Sequence, residues 1–201
     1  MRLQNNTQSH VPFLKKILET FEINSVLEYG IGLFSTPIFL ESCKRVVSIE
    51  MNSGYDGMTG KTETWYDKVV KEVGLKENWE HFNIPGPMNG IDYAIGLFKY
   101  ENFDLVFADG HGDTRAYQAN SANGVARFIV CHDTEHRHTR VKWDLGNYYM
   151  VDFPNFCSSY NWQRDPWPGT TIFCRDENDA QIVRTWFDQE DEICALNTKW
   201  I

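Results

Sequence analysis

Two carboxylates and two glycines near the start of the chain have the types and spacing of a nucleotide-binding turn. Glu28 lies in the first predicted strand, Ser25–Tyr29, and Gly30 and Gly32 follow that strand. Glycines at a turn let the backbone fold tightly and let a ligand approach without interference from a Cβ atom. Glu50 comes 20 residues after Gly30. At that spacing, a carboxylate at the end of the next strand can accept hydrogen bonds from both hydroxyls of a ribose. The motif therefore predicts an adenosine-like ligand.

The turn departs from the dinucleotide-binding fingerprint at its third position. Ser35 stands where a third glycine would let the helix pack closely beside a pyrophosphate. The charge of Glu28 would also repel a pyrophosphate, whereas it suits a ligand that carries an ammonium group. S-adenosylmethionine has such a group and a sulfonium. The sequence therefore favours S-adenosylmethionine over a nicotinamide dinucleotide.

With these residues the chain resembles the class I S-adenosylmethionine-dependent methyltransferases. The first motif of that family runs acid-x-Gly-x-Gly, and its ribose-binding acid closes the second strand. The matching positions in this sequence are Glu28, Gly30, Gly32 and Glu50. Two later segments, Phe103–Gly110 and Ala126–Asp133, are similar to the family's fourth and fifth strands.

The resemblance implies an α/β, Rossmann-like methyltransferase fold. Its sheet has seven strands and is mostly parallel, with helices on both faces and a C-terminal antiparallel hairpin. The implied activity is transfer of a methyl group from S-adenosylmethionine to oxygen or nitrogen of a small-molecule or saccharide-like acceptor. The implied cofactor-binding positions are Glu28, Gly30, Gly32, Ser35, Glu50, Met51 and Asp109.

The pattern along the chain predicts one domain over residues 1–201. Residues 1–22 contain an amphipathic helix that covers the sheet or the cofactor mouth, because apolar residues recur there at a spacing of three to four. Residues 25–134 alternate strands and helices, which predicts a parallel cofactor-binding core. Residues 135–201 form an acceptor-side region with the hairpin and a closing helix. The predicted helices are Ser9–Glu22, Leu33–Ser42, Thr62–Val73, Ile91–Tyr100, Thr114–Ala122 and Asp179–Leu196.

A second group of polar residues follows the predicted fourth and fifth strands. Methyl transfer needs alignment of the reacting atoms and, for some acceptors, removal of a proton. Asp109, His111 and Asp133 are the candidates for that catalytic role. Two alternatives stay open: His111 is a turn residue bonded to local backbone, or Asp133 caps the backbone that follows it.

Asp109 and Asp133 also match the positions at which some O-methyltransferases of this fold hold a divalent cation such as magnesium. A cation there would lower the pKa of the acceptor hydroxyl. His132 departs from that pattern, because magnesium prefers oxygen ligands. A metal site at Asp109 and Asp133 is thus one hypothesis, and a structural role for Asp133 is the other.

Composition limits the partners and the compartment. The net charge of −9 disfavours a nucleic-acid substrate, because proteins that bind phosphate backbones present a basic surface. No apolar run has the length of a membrane span, and the first ten residues are too polar for a signal peptide. The five cysteines have no paired spacing. We therefore expect a cytoplasmic protein with no membrane contact, and the oligomeric state stays open.

Three aromatic residues of the region after the fifth strand, Tyr148, Tyr149 and Trp162, are the predicted lining of the acceptor pocket. Two other functions compete with methyl transfer. A nicotinamide-dependent oxidoreductase would use the same fold, but Ser35 and Glu28 count against it. A binding or scaffold protein with the fold and no turnover is the other alternative, because fold does not imply function; the polar residues at the predicted strand ends favour an enzyme over it.

Overall fold

The structure is a computed structural model that describes residues 10–52, 64–85, 98, 101–110, 114–134, 143–153 and 169–195. Within these residues the strands are β1 (Ser25–Tyr29), β2 (Arg45–Asn52), β3 (Trp79–Pro85), β4 (Phe103–Ala108), β5 (Ala126–His132), β6 (Tyr149–Phe153) and β7 (Thr170–Cys174). The helices are α1 (Val11–Thr20), α2 (Ser35–Ser42), α3 (Trp65–Val73), α4 (Arg115–Ser121), α5 (Glu177–Arg184) and α6 (Glu190–Ala195). A 3₁₀ segment, Thr185–Gln189, joins α5 to α6.

The described strands form one seven-stranded sheet in the order β3-β2-β1-β4-β5-β7-β6. The first five strands are parallel, and β7 pairs antiparallel with both β5 and β6. The strand order reverses between β1 and β4, since the chain first builds outward to β3 and then returns to the other side of β1. Open α/β sheets bind ligands at the carboxyl ends of the strands beside such a reversal. The fold class predicted from the sequence is confirmed.

Alternate residues of the strands belong to two separate apolar layers, one on each face of the sheet. Val26 of β1 belongs to the layer that holds the apolar residues of α1, α2, α5 and α6, whereas Leu27 belongs to the layer that contacts α4. A strand with both faces covered reads as a continuous apolar run. This is why β1 and β4 could be located in the sequence, and the sheet they form fixes the position of the site.

The N-terminal helix is confirmed, with tighter bounds than predicted. It begins at Val11, and Pro12 lies in its first turn, where a missing N–H costs nothing and the fixed φ suits the helix. Its apolar face packs against the sheet, with Phe13, Leu14 and Ile17 almost fully buried. The residue before the helix, His10, is thereby carried to the carboxyl ends of the central strands, in ring contact with Phe107.

Two helix predictions need correction. The predicted helix Thr62–Val73 begins later than expected, at Trp65, and Thr64 is its N-cap. Thr64 and Asp67 form a reciprocal capping box in which each side chain accepts from the other's backbone N–H. The closing helix is not continuous. The 3₁₀ segment interrupts it, and this change of winding brings both Trp186 and Ile193 into the core.

The predicted acceptor-pocket tyrosines lie at the wrong end of the sheet. Because β6 runs parallel to β5 through the intervening β7, Tyr149 pairs with Cys174 near the amino ends of the strands. The buried Tyr148 hydroxyl donates to the Ala126 carbonyl at 2.7 Å and accepts from the Gly124 N–H at 3.2 Å. Tyr148 therefore stabilises the turn before β5. Trp162, the third predicted lining residue, lies outside the described residues.

None of the helices in the described part of the chain has the length and apolar character required to cross a bilayer.

Candidate active site

A cavity of about 310 Å³ opens at the carboxyl ends of β1, β2 and β4. That volume is at the lower end of the range of small-molecule sites. Its wall consists of the loop 30–35, Glu50, Asp109, Gly110, Trp65 and His10. The cavity therefore lies at the strand-order reversal, where the sequence places the cofactor.

The turn after β1 is held between the two neighbouring strands. The Gly30 N–H donates to the Ile49 carbonyl and the Asp109 N–H donates to the Tyr29 carbonyl, each at 2.9 Å. Gly30 has a φ of +90°, and a Cβ built on it would lie 2.6 Å from the Asp109 carbonyl oxygen. A glycine is required here because the backbones of two strands pass each other without space for a side chain.

Glu50 lies on the cavity wall and also holds the glycine turn in place. Its Oε2 atom accepts from the Ile31 N–H at 3.0 Å. On the other side of the same residue, the Trp65 indole N–H donates to the Ile31 carbonyl at 2.7 Å. The turn is thus fixed before any ligand arrives, and Glu50 is part of both this support and the cavity wall.

Glu28 does not contact the cavity, in contrast to the expectation that it binds the cofactor directly. Its side chain is fully buried behind the turn, where it accepts from the hydroxyls of Ser35 at 2.6 Å, Thr36 at 2.8 Å and Ser48 at 2.6 Å. The Thr36 hydroxyl in turn accepts from the Gly32 N–H at 3.0 Å. Glu28 therefore positions the turn from behind, and Ser35 is both a cavity residue and a donor to this carboxylate.

Burial raises the pKa of Glu28 to about 7, and the three hydroxyl donors only partly offset that effect. The unfolded chain releases this proton near pH 4.5, whereas the folded chain keeps it up to about pH 7. The protonation of Glu28 therefore contributes to the free energy of unfolding in full below pH 4.5. This contribution falls by about 1.4 kcal/mol per pH unit as the pH rises towards 7, a total of roughly 3 kcal/mol. The buried His10, whose pKa burial lowers to about 3, contributes an opposite slope below pH 6.5. A measurement on the wild type alone would therefore mix the two.

We expect Glu28→Gln to remove the Glu28 contribution, because the amide does not ionise. Urea unfolding of variant and wild type at pH 4.5 and pH 7.5 isolates it: relative to the wild type, the variant gains roughly 3 kcal/mol between the two pH values. Glu72→Gln, at an exposed position of α3, is the matched control and should show no such gain. If the difference in free energy of unfolding between wild type and Glu28→Gln were the same at both pH values, the raised pKa of Glu28 would be contradicted.

The ends of β4 and β5 and the start of α4 carry a network of four charged or titratable groups. Asp109 Oδ1 accepts from His132 Nδ1 at 2.9 Å and lies 3.1 Å from Arg115 Nη2. Arg115 Nη1 lies 2.6 Å from Asp133 Oδ2. Asp133 adopts a φ of +53°, which is uncommon for a residue other than glycine and is tolerated best by Asp and Asn. One arginine therefore bridges the two carboxylates that the sequence singled out.

The charges in this network determine its protonation. Burial opposes ionisation of Asp109, but His132 and Arg115 outweigh it and lower the pKa of Asp109. Burial likewise favours neutral His132, whereas the adjacent Asp109 outweighs it and raises the pKa of His132. Asp109 is therefore an ionised group that orients its neighbours rather than a free proton acceptor.

The proposed oxygen-ligand metal site does not fit this arrangement. The Arg115 guanidinium contacts Asp109 and Asp133 at once and supplies the positive charge that a magnesium ion would supply between them. Magnesium also prefers an octahedral set of oxygen ligands, and His132 stands next to Asp133 in place of such a ligand. The carboxylate pair is accordingly an arginine-binding pair in this structure.

Two other predicted residues are not settled by the structure. His111 lies outside the described residues. Met51 belongs to β2, and its side chain also lies outside the described part. His10 and Arg115, by contrast, were missed in the sequence analysis. The signal for His10 was its place at the start of a helix expected to cover the cofactor mouth. Arg115 follows a polar stretch of sequence after β4, and nothing in the local sequence identified its two partners.

No family model matches the chain, and neither does any curated protein. Solved structures do match. An O-methyltransferase from Bacillus cereus in complex with S-adenosylhomocysteine is 14% identical, with a TM-score of 0.56 over 83% of this chain and 80% of that one. The O-methyltransferase TomG from Streptomyces achromogenes, in complex with S-adenosylmethionine, is 14% identical with a TM-score of 0.55 over 83% and 80%. An rRNA methylase from Streptococcus thermophilus is 12% identical with a TM-score of 0.53 over 87% and 98%. At these identities the likeness shows a shared fold.

Proposed function

We propose that this chain, which has the fold of the class I S-adenosylmethionine-dependent methyltransferases, is an enzyme of that activity. The observation that carries the proposal is Glu50, which lies on the cavity wall at the end of β2 and holds the glycine turn after β1. A carboxylate at this position suits a ribose, and a glycine turn beside it suits the rest of an adenosine-containing ligand. The resemblance read from residues 26–134 points to the same ligand.

The cofactor supplies a methyl group that its sulfonium already activates, so the protein has to align the acceptor and handle one proton. Gly30, Gly32 and Ser35 form the part of the wall that the cofactor would follow, and Glu50 would bind its ribose. Asp109 lies on the cavity wall at the end of β4, on the other side of β1 from Glu50, and would orient His132 and Arg115 beside the bound cofactor. The remaining catalytic candidates are His111 and Asp133.

The proposed acceptor is a small or saccharide-like molecule methylated on oxygen or nitrogen. The net charge of −9 supports this class over nucleic acid, since phosphate backbones attract basic surfaces. The fold by itself does not separate the two classes, because the compared structures include an rRNA methylase. A cytoplasmic location belongs to the same proposal. It is supported by the five cysteines without paired spacing, of which Cys43, Cys131 and Cys174 are free and buried.

Calorimetric titration of the full chain with S-adenosylmethionine, S-adenosylhomocysteine and reduced nicotinamide dinucleotide tests the proposal. We expect saturable binding of the first two with one site per chain, and no binding of the nicotinamide cofactor. Binding of the dinucleotide alone would refute the proposed function and favour the oxidoreductase. Binding of S-adenosylmethionine without turnover over a broad acceptor panel would favour the scaffold function. Absence of binding to folded protein would refute the proposed function.

A further inference from the structure

We propose that His10, Asp109 and His132 bind one divalent transition-metal ion of the zinc class at the wall of the cavity. One ligand atom from each of these three residues lies within 4.8 Å of the others. They come from the residue before α1, the end of β4 and the end of β5, so only the folded chain brings them together. This set is different from the carboxylate pair Asp109 and Asp133, which Arg115 bridges.

His10 provides the independent observation that a ligand is missing. Its side chain is 3% exposed, and neither ring nitrogen has a hydrogen-bond partner among the described residues. Burial of an imidazole without partners is costly, because its nitrogens lose their hydrogen bonds to water and gain none in return. The ring lies with its centroid 4.4 Å from that of His132 and at an interplanar angle of 67°. His10 is also part of the cavity wall. A metal ion would bind one of these nitrogens and so give the buried side chain the partner that it lacks.

The three ligand atoms lie close to the separations that a tetrahedral zinc ion requires, and one of them has to move inward. His132 Nδ1 and Asp109 Oδ1 are 2.9 Å apart. Two ligands at about 2.0–2.1 Å from a tetrahedral zinc ion are roughly 3.3 Å apart, so this pair already has nearly the required separation. The His10 nitrogen lies at most 4.8 Å from the other two ligand atoms, so it has to move towards them by about 1.5 Å at most to reach the same separation. His10 lies at a helix terminus, where a rotamer change can provide that movement.

The donor chemistry selects the class of ion. Two imidazole nitrogens and one carboxylate oxygen suit zinc and its first-row neighbours, whereas magnesium and calcium prefer oxygen alone. A metal ligand must be a neutral imidazole or an ionised carboxylate, so the ion has to displace any proton held by His10 or His132 when it binds. Arg115 also contacts Asp133 at 2.6 Å, so a second carboxylate balances the guanidinium.

A fourth coordination position would open to the cavity, because His10 and Asp109 both belong to its wall. Three protein ligands with one open position are the arrangement of catalytic rather than structural zinc sites. An ion held there would lower the pKa of a hydroxyl or water that it binds.

Cobalt(II) is the probe for this site, because its visible absorption reports nitrogen and oxygen coordination of low number. The full chain is freed of metal with EDTA, then titrated with CoCl₂, and Zn²⁺ is added to displace the cobalt. We expect one Co²⁺ per chain, a visible band that Zn²⁺ abolishes, and an affinity at least about 100-fold weaker in His10→Ala, since even second-shell changes cost 10–100-fold. His81→Ala is the matched control, because His81 lies on β3, outside the cavity wall, and should leave the titration unchanged.

Two outcomes would overturn the site: no saturable visible band in the wild type, or equal titrations of His10→Ala and wild type. Far-UV circular dichroism and urea unfolding show whether His10→Ala is folded, and Asp109→Asn replaces it if it is not. The readout does not depend on the proposed function, because metal is titrated without S-adenosylmethionine. Cobalt binding without cofactor binding would refute only the methyltransferase proposal, and the reverse result would refute only the metal site.

Discussion

Glu50→Ala should weaken the binding of S-adenosylhomocysteine by at least about 100-fold. The variant loses the acceptor for the ribose hydroxyls and also the acceptor for the Ile31 N–H, which lies 3.0 Å from Oε2 in the wild type. Hydrogen bonds to a charged group contribute roughly 1.5–3 kcal/mol each, and about 1.4 kcal/mol is a tenfold change in affinity. Calorimetry of the variant and the wild type at one pH and salt concentration measures the difference.

Glu80→Ala is the control for this prediction. Glu80 lies on the neighbouring strand β3, where its half-exposed carboxylate pairs with Arg45 at 2.7 Å, and it is not part of the cavity wall. Its removal should leave the affinity within about twofold of the wild type, since exposed ion pairs contribute little. Glu50→Gln separates the two functions of Glu50, because its amide oxygen can still accept from Ile31 and only the charge is lost. An affinity of Glu50→Ala within threefold of the wild type would contradict the assignment of Glu50 to the ribose.

The sequence was sufficient for those parts of the site that depend on local order. β1 has the predicted bounds, Ser25–Tyr29, because a buried strand followed by a glycine turn has a clear apolar and conformational signature. Glu50 was located by its distance along the chain from Gly30, and the structure places it on the cavity wall. Such a spacing is preserved when a βαβ unit folds, since one helix and two strands fix it.

The parts that were missed depend on contacts between distant segments. His10 meets Asp109 and His132 only because α1 packs across the sheet, and no local pattern specifies where the end of a helix will lie. The direction in which Glu28 points was also not available from the sequence. Alternation along β1 turns this side chain towards Ser35 and Ser48 and away from the cavity. Adjacent residues of a strand face opposite layers of the fold, and the motif places Glu28 beside the glycine turn without specifying which layer its side chain enters.

Gly30→Ala should both unfold the chain more readily and abolish cofactor binding. The added Cβ would meet the Asp109 carbonyl oxygen at 2.6 Å and Gly110 N at 2.9 Å, which are backbone atoms that cannot rotate away. The positive φ adds roughly 1–2 kcal/mol for a residue other than glycine. Together we expect a loss of about 3–5 kcal/mol in the free energy of unfolding, within the range of severe single substitutions. Urea unfolding gives the stability, and calorimetry with S-adenosylhomocysteine gives the affinity.

Gly124→Ala distinguishes the cost of a positive φ from the cost of the steric clash with β4. Gly124 has a φ of +82°, close to the +90° of Gly30, but a Cβ built on it meets no atom within 4 Å. The control therefore carries the conformational cost alone, about 1–2 kcal/mol, and should bind S-adenosylhomocysteine as the wild type does. The stability difference between the two alanine variants measures how closely β1 and β4 approach at the turn. If the two variants lost the same stability, the ends of β1 and β4 would move apart without an energetic cost. The close approach of these two strands would then not determine the shape of the cavity.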